Sequence, residues 1–123
     1  MIKQLATVVY YVPDLSKEKQ WLKQIFDITP YFDEPFYVGY DVGGYELGVL
    51  SGEKPASNHI VAYWRVDNLQ QALSEYESRG AQMGDKMEDV GDGILVATIV
   101  DPFGNHFGII ENPHFKVPEL IKE

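Results

Sequence analysis

Residues 5–15 and 59–69 are two versions of one pattern, and that repeat constrains the chain more than any other feature. The first is Leu5-Ala6-Thr7-Val8-Val9-Tyr10-Tyr11-Val12-Pro13-Asp14-Leu15, and the second is His59-Ile60-Val61-Ala62-Tyr63-Trp64-Arg65-Val66-Asp67-Asn68-Leu69. Each runs an apolar stretch into Asp or Asn, then Leu, then a helical pattern. Aligning Val12 with Val66 puts Asp14 on Asn68 and Leu15 on Leu69, at an offset of 54 residues in a chain of 123. A repeat near half the chain length predicts two copies of one supersecondary unit. The length itself fits one domain.

The spacing predicts a first helix over 16–26, with Trp21, Leu22, Ile25 and Phe26 on one face and Asp14 or Ser16 as N-cap. A second helix is predicted over 69–79. Its face is Leu69, Ala72, Leu73 and Tyr76, and Gly80 follows as a stop. Strands are predicted at 31–32, 36–42 and 45–50, the last two joined by Gly43-Gly44. Further strands are predicted at 83–90, 94–100 and 106–111. Asp101-Pro102-Phe103-Gly104-Asn105 reads as the turn between the last two, since Pro suits an early corner and Gly-Asn tolerates positive φ. Each half is therefore β-α-β-β-β: module one about 1–52, a polar connector about 51–57, module two about 58–112, and a tail over 113–123.

Composition narrows the function classes. The formal net charge is -9, with ten Lys and Arg dispersed along the chain, which argues against nucleic acid as a partner. Acidity serves solubility, or a preference for neutral or cationic ligands. There are no cysteines for disulfide or thiol chemistry. No apolar run approaches the ~20 residues of a membrane span, so no membrane partner is expected. Met1-Ile2-Lys3-Gln4 lacks a signal-peptide pattern, and the expected location is cytoplasmic. Gly91-Asp92-Gly93 lacks the lysine and helix of a phosphate loop, and no Ser-His-Asp motif is evident.

Three pieces resemble the vicinal oxygen chelate superfamily, which includes glyoxalase I, bleomycin-resistance proteins and extradiol dioxygenases. They are Val8-Val9-Tyr10-Tyr11-Val12-Pro13-Asp14-Leu15, its echo Val66-Asp67-Asn68-Leu69, and Asp101-Pro102-Phe103-Gly104-Asn105. The resemblance implies an α+β fold in which two βαβββ modules curl mixed sheets around a shared cleft, and a homodimer. It also implies metal ligands, a His or Gln on the first strand and a Glu on the last strand of each module. Carried over by position, these fall on Thr7, Val61, Glu46 and Gly108. Only Glu46 is a usual ligand, so no metal or other cofactor is expected. A displaced divalent-metal set of His59, Glu46 and His106 is the alternative, because both histidines lie two residues before a vacant position.

Strand alternation assigns the cleft face. Thr7, Val9, Tyr11, Glu46, Gly48, His59, Val61, Tyr63, His106 and Gly108 are the expected ligand-binding residues. Tyr37 and Tyr40 are candidates for the rim. Gly48 and Gly108 either admit a ligand to the backbone or serve tight packing. Glu46 is the candidate catalytic residue: burial would raise its pKa and fit it for general-base work, or it would be a counter-charge for a cation. Three functions follow: a metal-free small-molecule binder, a metal-dependent lyase, isomerase or dioxygenase, and a ligand-binding regulatory module.

Overall fold

The structure is a computed structural model that describes residues 6–52 and 62–114. His59, Val61, the connector from 53 onward and the tail from 115 lie outside the described residues.

The first module runs β1 (Thr7–Val12), α1 (Leu15–Phe26), β2 (Phe32–Glu34), β3 (Tyr37–Val42) and β4 (Tyr45–Ser51). Its sheet has the order β1-β4-β3-β2. The crossover through α1 makes β1 and β4 parallel, and the Gly43-Gly44 hairpin makes β3 and β4 antiparallel. The second module runs β5 (Tyr63–Arg65), α2 (Leu69–Ser78), β6 (Gln82–Met83), β7 (Glu88–Gly91), β8 (Ile94–Val100) and β9 (His106–Glu111). Its order is β5-β9-β8-β6, with β7 also on β8, and β5 is parallel to β9. Both sheets are mixed and open, giving the expected α+β architecture. No described helix is long and apolar enough to cross a membrane.

The repeated Asp and Asn do the same work in both halves. Asp14 accepts from the Lys17 amide at 3.1 Å and Asn68 from the Gln71 amide at 2.9 Å. Each meets an amide that the first helical turn leaves unpaired. Helix boundaries fall within one residue of the predicted ones.

The predicted strand over 83–90 is two strands. Residues 84–87 span what 97 and 98 cover on β8, between the pairs Met83↔Ile99 and Glu88↔Val96. Thr98 holds this widened stretch: its carbonyl accepts from the Gly84 amide at 2.9 Å and its hydroxyl from the Asp85 amide at 2.7 Å. Extra residues in one strand leave the ladder and bend it.

The larger buried cluster is shared by both modules, and a smaller one of Leu69, Ala97 and Ile109 lies in the second. Val12, Leu22, Ile25, Val38, Tyr40, Leu47 and Val49 of the first pack with Ala81, Ile99 and Phe107 of the second. Tyr10 stacks on Phe107 with centroids 4.2 Å apart and planes within 7°. Tyr40, a candidate for the rim, is instead a core residue. Alternation therefore puts Tyr10, Val12, Leu47, Val49, Phe107 and Ile109 on the helix side, and their neighbours on the open faces.

Candidate functional site

The open face of the first sheet is built around Glu46. Thr7 stands beside it on the parallel strand, and Asp41 opposite it on β3. Two rungs on, Val9, Gly48 and Gly39 are abreast. Two facing glycines leave a bare strip of backbone, and Tyr37 lies along it. Its hydroxyl donates to Glu46 Oε1 at 2.6 Å. Thr7 donates to the same oxygen at 3.2 Å, and the Tyr31 hydroxyl donates to Oε2.

These donors set the electrostatics. The hydrogen bonds from Tyr31 and Tyr37, with Thr7, outweigh desolvation and hold the Glu46 carboxyl below its ordinary value. The expected burial-driven rise does not occur, because a half-buried carboxylate with three hydroxyl donors is stabilised in its charged form. The partners respond in the opposite sense. Burial, then the bond to Glu46, pushes Tyr37 up to about 12. The bond to Glu46 raises Tyr31. Glu46 is thus a fixed negative charge and a weak base. Beside it is a hollow of about 160 Å³, lined by Tyr31, Asp41, Gly44, Tyr45 and Glu46.

Tyr31 was not among the expected residues, and Tyr37 only as a rim candidate. The signal that finds them is the Gly39–Gly48 pair, which vacates volume that only a nearby large side chain can fill. A Cβ on Gly48 would come within 2.3 Å of the Tyr37 hydroxyl. The second module repeats the device: a Cβ on Gly108 would fall 2.6 Å from the Tyr63 ring and 2.7 Å from the Ala62 carbonyl oxygen. Both glycines therefore seat tyrosine rings.

Register corrects one correspondence. Val9 pairs with Gly48 and Tyr63 with Gly108, and Val9 and Tyr63 are each three residues before the aligned valine. Gly108 therefore matches Gly48, and Glu46 matches His106. Counting from the pairs, the module-one counterpart of Gly108 is two residues beyond Glu46. The four matched positions then carry Thr7, Gly48, Val61 and Gly108, which offer one hydroxyl as a side-chain donor. Of the displaced set, Glu46 is engaged by Thr7, Tyr31 and Tyr37, and His106 Nδ1 lies 3.2 Å from the Thr98 hydroxyl. Among the described residues, no three His, Cys, Asp or Glu side chains are grouped to hold a metal ion.

The remaining expected residues divide between the sheets. Thr7, Val9 and Tyr11 follow one another on the open face of β1, with Tyr11 opposite Leu50. Tyr63, His106 and Gly108 share the open face of the second sheet. There a hollow of about 440 Å³ is lined by residues that include Tyr63, Lys86, Met87 and Thr98.

A family model described as the Glyoxalase/Bleomycin resistance protein/Dioxygenase superfamily matches residues 4–109. The chain belongs to this superfamily. Among solved structures, it is similar to a glyoxalase-related enzyme from Fulvimarina pelagi at 18% identity and TM-score 0.76, covering 95% of this chain and 94% of that one. The fosfomycin resistance protein FosX from Mesorhizobium loti is similar at 16% identity and TM-score 0.71, covering 93% and 96%. TioX from Micromonospora sp. ML1 is similar at 17% identity and TM-score 0.70, covering 89% and 98%. At these identities the likeness concerns the fold. No curated protein matches the sequence.

Proposed function

We propose that this superfamily member binds a small organic cation on the open face of its first module, without a resident metal, and acts by holding its ligand. The observation that carries this reading is Glu46, kept ionised by Tyr31, Tyr37 and Thr7 beside a second carboxylate. Asp41 stands directly opposite it on the neighbouring strand. Like charges in that position are unfavourable, and a bound cation relieves them. Tyr31 and Tyr45 are among the residues lining the hollow, and aromatic rings attract cations. The net charge of -9 draws such ligands toward the protein. The fold is shared with a protein named for fosfomycin resistance, which supports a role toward small molecules.

A homodimer belongs to the same reading. β1 and β5 are outer strands of open sheets, and Val9, Tyr11 and Tyr63 are 40%, 36% and 48% exposed on their open faces. Covering these side chains in a second copy would bury apolar surface beside both hollows.

Calorimetric titration with benzyltrimethylammonium, and with its neutral isostere neopentylbenzene, tests the proposal. The cation binds and the neutral compound does not, and Glu46→Gln weakens binding at least about tenfold, or ~1.4 kcal/mol. Equal binding of the two compounds, or an unaffected variant, overturns it.

A further inference from the structure

A sealed carboxyl pair lies between the two modules, away from the open faces. Glu18, on α1, is 0% exposed, and Asp101, at the head of the β8–β9 turn, is 2% exposed. No donor reaches either Glu18 oxygen. The ion pairs among the described residues do not include Glu18. The titratable groups within electrostatic reach are Asp101 from the turn, Tyr10 from β1 and Tyr40 from β3. The Tyr10 hydroxyl donates to the His106 carbonyl at 3.4 Å, and that of Tyr40 has no partner.

Asp101 accepts with both oxygens and keeps a free lone-pair site on Oδ2. Its Oδ1 accepts from the Phe103 and Asn105 amides at 2.9 and 2.7 Å, and its Oδ2 from Asn105 Nδ2 at 2.8 Å. Two ionised carboxylates carry no donor between them. In a sealed space their repulsion adds to the cost of desolvating each. One proton removes a charge and supplies the missing donor. Asp101 already accepts with both oxygens, so that proton belongs on Glu18.

We propose that Glu18 is protonated in the folded protein and donates to Asp101, forming a proton-operated latch between α1 of the first module and the turn of the second. The latch is independent of the ligand reading. Its reach extends through Asn105, whose Nδ2 also donates to the Tyr11 carbonyl at 3.2 Å. Tyr11 and His106 each present side chains to an open face, so the seam that the proton closes also fixes both faces relative to one another. Burial first, then the hydrogen bond and like charge of Asp101, pushes Glu18 up to about 9 from an ordinary 4.5. A raised folded-state value gives stability that is fully present below about 4.5 and is lost as pH rises through about 9.

Two measurements on the full chain test the latch. In carbon NMR of protein labelled at glutamate carboxyl carbons, one signal keeps its protonated position at pH 7, and Glu18→Gln removes that signal. In urea titrations followed by tryptophan fluorescence, the wild-type midpoint falls from pH 5 to pH 9 relative to that of Glu18→Gln, which retains a donor without the titration. Glutamate signals that all titrate below pH 6, or midpoints that fall in parallel, overturn the proposal. Should the variant not fold, the wild-type NMR titration decides alone.

Discussion

Adding one methyl group at Gly48 and at Gly108 should give different penalties, because different atoms stand in the way. At Gly48 the new Cβ meets the Tyr37 hydroxyl at 2.3 Å and its ring at 2.9 Å. That is the far end of a rotatable side chain. Tyr37 can swing away, giving up its 2.6 Å bond to Glu46. A hydrogen bond to a charged group contributes ~1.5–3 kcal/mol, less where water can replace it, as at half-exposed Glu46. Alanine recovers roughly 0.5–1 kcal/mol over glycine in a strand. The net cost of Gly48→Ala is about 1 kcal/mol. At Gly108 the Cβ meets the Tyr63 ring at 2.6 Å and the Ala62 carbonyl oxygen at 2.7 Å. That carbonyl accepts the Gly108 amide at 2.9 Å, so retreat breaks the β5–β9 ladder. Overpacking of ~1–3 kcal/mol plus a lost backbone bond of ~1 kcal/mol, less the same alanine gain, puts Gly108→Ala at about 2 kcal/mol. At roughly 4 °C per kcal/mol for a domain of this size, thermal unfolding followed by circular dichroism should show Tm losses of about 4 and 8 °C. Tyr37→Ala should rescue Gly48→Ala, giving a coupling of at least ~1 kcal/mol in a double-mutant cycle. Equal penalties at the two glycines, or additive effects of Tyr37→Ala and Gly48→Ala, would refute the reasoning.

Two further outcomes follow. Asn105→Ala leaves Asp101 Oδ2 and the Tyr11 carbonyl short of a donor at a buried site, so stability should drop by about 2–3 kcal/mol in urea titrations. The folded Glu46 carboxyl lies below its ordinary value, so it contributes stability above pH ~4.5 that is lost as pH falls through the folded value. The midpoint difference between wild type and Glu46→Gln should therefore narrow on acidification below that pH, and a difference that widens there would contradict the assignment.

The parts legible in the sequence are those with a local cause. β8 and β9 match the predicted runs at both ends, because a β-branched stretch and a Pro-Gly-Asn turn fix them within a few residues. The alternation of faces in β1, β4 and β9 follows from the period of a strand. The break between β6 and β7 was hidden because its cause, Thr98, lies on another strand. The tyrosine cluster was hidden for the same reason: Tyr31 and Tyr37 reach Glu46 only after β3 pairs with β4. The slip that matched Glu46 to Gly108 has a geometric origin. Two residues, Gly43 and Gly44, join β3 to β4, while residues 101–105 join β8 to β9. The turns therefore give the two halves no common origin, and it is strand pairing, Val9 with Gly48 and Tyr63 with Gly108, that identifies the shared rung.

The tyrosine seated on each glycine has a consequence for how this chain could change. A longer side chain at 48 or 108 cannot enter while the ring occupies that volume. Removing the ring first leaves a hole, and at position 48 it also strips a donor from Glu46. A carboxylate at either position must therefore displace a ring, a step that costs more at 108, where backbone also stands in the way, than at 48. A mutational barrier of different height in each half therefore stands between this chain and one with a larger residue on that rung.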